Sequence, residues 1–149
     1  DLAGRVRFLG YREDVPALMA GAAVHCVPSR PSIREGFGLV GLEAKEAGIP
    51  SVVFPTGALP EMIEHGRDGW VCGEATAEAL ADGLDYFLAD AGRREAAGSM
   101  ARASLERFSR ERFAAAWWAV FQGAQAREGG RGAPLAAWPA SAHGERREG

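Results

Sequence analysis

The sequence predicts the α/β class: a parallel sheet with flanking helices, followed by C-terminal helices and a disordered tail. Three observations carry this reading. Short apolar runs alternate with helical segments through the first half of the 149 residues. Those runs are continuously apolar rather than alternating, as strands buried on both faces are. Beyond Cys72 the strand signal stops and only helical periodicity remains.

The elements follow in order. Val6-Arg7-Phe8-Leu9, ending at Gly10, reads as a strand, and Val15 to Gly21 as a short helix. Ala23 to Pro28 is a second strand, and Leu39 to Gly48 a helix that Gly48 closes at its C-terminal end. Ile49 to Pro55 is a third strand, with prolines at its edges where no central ladder bond is lost. Pro60 opens a short helix that stops at His65-Gly66. The turn Arg67-Asp68-Gly69 leads into a fourth strand, Trp70-Val71-Cys72. Thr76 can cap a helix from Ala77 to about Ala91, with Leu80, Leu84, Phe87 and Leu88 at helical spacing. A second helix is expected from about Arg93 to Phe108. Ser109 caps a third, with Phe113, Trp117, Val120 and Phe121 on one face. From Gly123 onward the periodicity is lost and Gly, Pro and Arg accumulate, so residues 123–149 are expected to be a disordered tail and residues 1–122 the folded domain.

Composition narrows the function. With 47% hydrophobic and 25% charged residues, the chain is a soluble globular one rather than an intrinsically disordered one. A net charge of -3 argues against nucleic acid as partner, since binders that live on phosphate electrostatics are strongly basic. Sixteen of the seventeen basic residues are arginine, spread along the chain, which reads as codon usage of a GC-rich genome. Cys26 and Cys72 make neither a disulfide framework nor a zinc pattern, so reduced, buried thiols and a cytoplasmic setting are expected. The longest apolar stretches, about five to seven residues, fall far short of the ~20 that span a bilayer. The chain begins Asp-Leu-Ala rather than with Met and reads as a fragment.

Ligands of parallel sheets sit at the carboxyl ends of the strands, so the informative loops follow Leu9, Pro28, Phe54 and Cys72. The loop after Pro28 is the most unusual: Ser29-Arg30-Pro31-Ser32-Ile33-Arg34-Glu35-Gly36-Phe37-Gly38, then at once a helix holding Glu43. Gly36 and Gly38 at a helix start leave backbone N–H groups and the positive end of the helix dipole open to a phosphate. Glu35 and Glu43, with seven residues between them, make sense beside phosphates as acceptors from hydroxyl groups, a sugar at one end and a ribose at the other. The same residues also fit a plain glycine turn with a solvated Glu43. Arg30 and Arg34 could reach phosphate, although arginines are everywhere in this chain. His25 reads as a packed or edge histidine, His65 as a helix C-terminal charge, and the Trp117, Trp118, Phe121 cluster as a packing face.

Together, Pro28-Ser29, Glu35-Gly36-Phe37-Gly38-Leu39, Leu42-Glu43-Ala44, Ala47-Gly48-Ile49-Pro50 and Gly57-Ala58-Leu59-Pro60-Glu61 resemble the retaining glycosyltransferases of family 4, which have the GT-B fold. Val6 to Tyr11 looks like that family's strand leading to the nucleobase loop, and Gly66 to Val71 like a strand farther on; the resemblance covers roughly residues 5 to 122. It implies a partial GT-B C-terminal domain with a Rossmann-like parallel sheet. It also implies a nucleotide-diphosphate sugar as donor substrate, with no metal or other cofactor. By resemblance, Glu43 binds the ribose hydroxyls and Glu35 holds hydroxyls of the transferred sugar as the catalytic residue. The main chain of Gly36, Phe37, Gly38 and Leu39 contacts sugar and diphosphate, and the Tyr11-Arg12 loop meets the base edge through backbone atoms. Ala58 departs from the family's second glycine, putting in doubt any contact that needs a positive φ there.

The resemblance further implies that the acceptor belongs to a missing N-terminal domain and that two preceding strands with a basic pair are absent. A fragment inactive alone is therefore expected, from a cytoplasmic parent whose peripheral association with the inner face of a membrane is left open. The alternative is a non-catalytic nucleotide-binding or interaction remnant of the same fold. An epimerase or phosphorylase of the same architecture is a weaker third reading.

Overall fold

A computed structural model of the chain describes residues 4–30, 32 and 36–127. Contacts divide the chain into two compact units, residues 1–106 and 107–149.

In the first unit, three strands form one parallel sheet: β1 (His25–Val27), β2 (Ser51–Val53) and β3 (Gly69–Val71), side by side in that order. Cys26 lies opposite Val52, and Val52 opposite Trp70. The crossovers carry α2 (Leu39–Ala47) and the short α3 (Leu59–Met62), while α1 (Val15–Ala20) precedes β1. After β3 come α4 (Ala77–Leu88) and α5 (Ala91–Ser104). Every residue of the central strand β2 is buried, which is why Ser51-Val52-Val53 shows no polar alternation. One apolar cluster gathers Val52, Phe54, Cys72, Phe87 and Ala97, with Leu80 and Leu84 of α4 packed against it. A second joins Met19 of α1, Ala44 of α2 and Ile49.

The local signals act as read. The Thr76 hydroxyl accepts the Ala79 N–H at 3.2 Å and so caps α4. Gly48 closes α2 in the left-handed region, φ 71°. The α/β class holds, and three of the four expected strands form.

Val6–Leu9 does not. It runs without a ladder partner among the described residues, and Phe8 is 98% exposed. A strand needs a neighbour to take its N–H and C=O groups, and apolar residues alone do not supply one. Helix boundaries also differ: α3 ends at Met62 rather than His65, and α4 at Leu88 rather than about Ala91. α5 starts two residues earlier than expected because the Asp90 side chain accepts the Arg93 N–H at 2.9 Å. It ends at Ser104, where a 3₁₀ turn, Leu105–Phe108, takes over.

In the second unit, α6 (Arg110–Arg127) begins behind Ser109, whose hydroxyl accepts the Arg112 N–H at 3.3 Å. Phe113 meets Trp117 edge-on and Trp117 meets Phe121 tilted, at centroid spacings of 6.2 and 5.7 Å, and all three stay exposed rather than packed. The helix passes through Gly123 to Arg127, so the expected tail does not begin at 123; residues 128–149 lie outside the described residues. No described helix is long and apolar enough to cross a membrane.

Candidate functional site

Because the three strands are parallel, the loops after β1 and β2 leave the sheet at one edge. Two hydrogen bonds join them there. Phe54 N–H donates to the Val27 carbonyl at 3.2 Å, and the buried Thr56 hydroxyl donates to the Ser29 carbonyl at 3.0 Å. Thr56 was not singled out from the sequence, since a threonine in a Pro-Thr-Gly turn carries no mark of a partner 27 residues away.

The first of these loops delivers the chain to α2. Gly38 takes the left-handed conformation, φ 73° and ψ 52°, immediately before the first helical residue. Such a backbone suits glycine and turns the chain sharply into the helix. No side chain caps this end, so the first-turn N–H groups, which have no partner inside the helix, lack a side-chain acceptor. Gly36 and Phe37 are exposed, Gly38 is buried, and Leu39 is exposed. Glu43, four residues beyond Leu39, shares its face of the helix and is exposed too. The expected residues Gly36, Phe37, Gly38, Leu39 and Glu43 therefore form one continuous stretch at the carboxyl edge of the sheet. Glu35 and Arg34 lie outside the described residues.

The second loop resolves the Ala58 departure. The positive φ falls on Gly57, at 57°, whereas Ala58 sits in the ordinary right-handed region at φ -82°. An alanine is thus accommodated without backbone strain. Glu61 follows in the first turn of α3, exposed, behind Pro60.

Tyr11 and Arg12 lie on the segment before α1. Tyr11 is 93% exposed, and both oxygens of Asp14 hold the Arg12 guanidinium, at 2.6 and 2.5 Å. That hydrogen bond lowers the Asp14 pKa and raises that of Arg12.

The histidines divide. His25 Nδ1 lies 3.0 Å from the Ser51 hydroxyl across β1 and β2, and burial lowers its pKa, as a packed strand histidine requires. His65 is not a helix-terminal charge, because extended Ile63 ends α3 at Met62. Its Nδ1 instead lies 3.0 Å from the Val71 carbonyl oxygen and 3.2 Å from the Val71 nitrogen, and its ring packs on Trp70 at 4.4 Å. Burial raises both thiol pKa values, Cys26 and Cys72, so both stay protonated near neutrality. No group of three or more His, Cys, Asp and Glu comes together as a metal site among the described residues.

A buried pair of charges escaped the sequence reading. Lys45, the chain's single lysine, is fully enclosed; its Nζ donates to Asp68 Oδ2 at 2.7 Å and to the Ser104 hydroxyl at 2.9 Å. The other Asp68 oxygen accepts the Glu64 N–H at 2.8 Å.

Residues 1–104 match the family model described as glycosyl transferases group 1. The chain belongs to the group 1 glycosyltransferases. Among curated relatives, N-acetyl-alpha-D-glucosaminyl L-malate synthase of Bacillus anthracis is 32% identical over 118 residues, 78% of this chain and 30% of the relative. The GDP-mannose-dependent alpha-(1-6)-phosphatidylinositol monomannoside mannosyltransferase of Mycobacterium tuberculosis is 33% identical, over 68% of this chain and 28% of its own. The chain thus spans less than a third of the length of these relatives. Among solved structures, Anabaena HepE in complex with UDP matches with a TM-score of 0.70 and 30% identity, covering 79% of this chain and 33% of that one. Sucrose-phosphate synthase from Thermosynechococcus elongatus matches with a TM-score of 0.71 and 28% identity, over 85% and 32%. The three-stranded parallel sheet with its helices is accordingly the α/β arrangement of GT-B glycosyltransferases.

Proposed function

We propose that this group 1 glycosyltransferase chain, over residues 1–122, is the donor-binding part of a longer, retaining enzyme of family 4. The enzyme moves a sugar from a nucleotide-diphosphate sugar to an acceptor held by another domain. The observation that carries the proposal is the exposed Glu43, one turn above a glycine-headed helix start at the carboxyl edge of a parallel sheet. Supporting it, HepE was crystallised with UDP and with UDP-glucose, and a relative is named GDP-mannose-dependent.

In this reading the Gly36, Phe37, Gly38 and Leu39 main chain faces the diphosphate, and its N–H groups stabilise negative charge as the leaving group departs. Glu43 accepts the ribose hydroxyls; a carboxylate there repels phosphate and welcomes hydroxyl donors. Glu35 holds hydroxyls of the transferred sugar, and the Tyr11-Arg12 loop meets the base through its backbone. No metal or cofactor takes part. The unstrained backbone at Ala58 weighs against the reading of the chain as a degenerate remnant. A cytoplasmic parent completes the proposal.

The test is transfer of labelled sugar by the full-length parent, offered UDP-, GDP- and ADP-sugars in turn, with the anomeric configuration of the product read by NMR. Transfer with retention supports the proposal. No transfer from any donor sinks the activity, and inverted product sinks the mechanism alone.

A further inference from the structure

We propose that Lys45 is a positioning residue for Glu43, fixing the rotation and height of α2 so that the carboxylate faces the donor. The inference rests on the donor-binding reading of Glu43 given above. The two residues are two positions apart on α2, which places them about 200° apart around the helix axis. Holding Lys45 inward therefore holds Glu43 outward.

Half-buried Val40 and Ala47 pack against the Met19 cluster, but within the buried face of α2 little is directional. The buried residues of α2 are Gly41, Ala44 and Lys45. Glycine and alanine present a smooth face, with no long side chain to interlock with a neighbour and resist rotation or sliding. Lys45 is the one long side chain in that buried set, and its ammonium is directional: Asp68 Oδ2 at 2.7 Å on one side, the Ser104 hydroxyl at 2.9 Å on the other. Both partners are themselves tied down. Asp68 accepts the Glu64 N–H, and Ser104 donates to the Ala101 carbonyl at 2.7 Å within α5. Arg102 of α5 also donates to the Glu46 and Ala47 carbonyls at the far end of α2, at 3.3 and 3.1 Å. The C-terminal half of α2 is thus pinned to α5 and to the turn before β3, and its glycine-headed start projects toward the ligand edge. A buried ion pair is a poor source of net stability, but fixing register is the role best attested for one.

The experiment compares Lys45→Met/Asp68→Asn with the parent in the full-length enzyme. The double variant removes both charges and keeps an amide oxygen for the Glu64 N–H. Nucleoside diphosphate binding is measured by calorimetry, and KM and kcat with the donor. A positioning role raises Kd and KM by about three- to tenfold with kcat little changed, as expected for a coupled neighbour. A purely structural role lowers only the folded fraction, hence the apparent kcat, at constant KM. Adding Glu43→Gln to the double variant is expected to weaken binding no further than Glu43→Gln alone. A folded double variant with parental Kd and KM overturns the inference. So does one that does not fold, since the pair would then serve the fold itself, and so do losses that simply multiply with Glu43→Gln. If Glu43→Gln alone leaves Kd unchanged, the donor-binding reading falls first and the positioning role with it.

Discussion

The carboxylate of Asp68 and the ammonium of Lys45 meet inside the first unit at 2.7 Å, across 23 residues of sequence. Removing one partner is expected to cost far more than removing both. Lys45→Met leaves a buried carboxylate uncompensated and should lose about 3–5 kcal/mol, whereas the charge-free double variant should recover most of that. Urea midpoints at constant m-value measure both.

Glu43→Gln in the full-length parent keeps the shape of the side chain and removes its charge. The expected loss is roughly 1.5–3 kcal/mol, or ten- to a hundredfold in affinity for the nucleoside diphosphate. Glu35→Gln should depress turnover more than diphosphate affinity, because its proposed partner is the transferred sugar. Calorimetric titration with the free diphosphate separates the two; parental affinity in Glu43→Gln would refute the ribose assignment.

Gly98→Ala probes the meeting of α5 with the end of α2. A Cβ at Gly98 would run into the Gly48 carbonyl oxygen, a backbone atom that cannot swing aside. A destabilisation of about 1–3 kcal/mol or more is expected from overpacking. Gly92→Ala in the same helix meets only the Asp90 side chain, at 3.4 Å, and should be neutral or stabilising by up to about 1 kcal/mol. Thermal melts of the pair distinguish crowding from helix propensity.

His25 supplies a pH dependence. Burial depresses its folded-state pKa below the ordinary value of 6.5, so the unfolded chain binds the proton more readily. Its contribution is complete above the unfolded pKa, and stability falls as pH drops from there toward the depressed folded value. His25→Gln, which keeps a polar partner for Ser51, should flatten the slope of the urea midpoint below about pH 6.5. An unchanged slope would place the titration elsewhere.

Thr56→Val deletes the side-chain bond to the Ser29 carbonyl, one of the two that join the loops after β1 and β2. The expected cost is about 0.5–1.5 kcal/mol. Faster amide exchange at Gly57, with exchange at Val52 unaltered, would locate the loss at the ligand edge.

What could be read in the sequence was local. α4 announced itself through Leu80, Leu84 and Phe87 at helical spacing behind Thr76, because cap and periodicity both lie within the element. Gly38 and Gly48 were legible as the ends of α2, since a left-handed backbone is written in one residue. Val6–Leu9 failed for the opposite reason: the pattern specifies a chain able to pair, and pairing depends on a neighbour. Asp68 gave no sign in a turn that reads as Arg-Asp-Gly, and Lys45 sat between acidic and small residues like any solvated lysine. The Thr56–Ser29 bond was equally hidden. In each case the missing information was a partner 23 to 27 positions away.

The enclosure of Lys45 also makes the native chain quiet toward lysine chemistry. It is the only side-chain amine in these 149 residues, and it is fully shielded from solvent. Amine-directed esters and lysine-cleaving proteases therefore have no lysine to act on in this chain until α2 parts from α5. Acylation at Lys45, located by peptide mass spectrometry, becomes a clock for that parting, with one addressable side-chain amine.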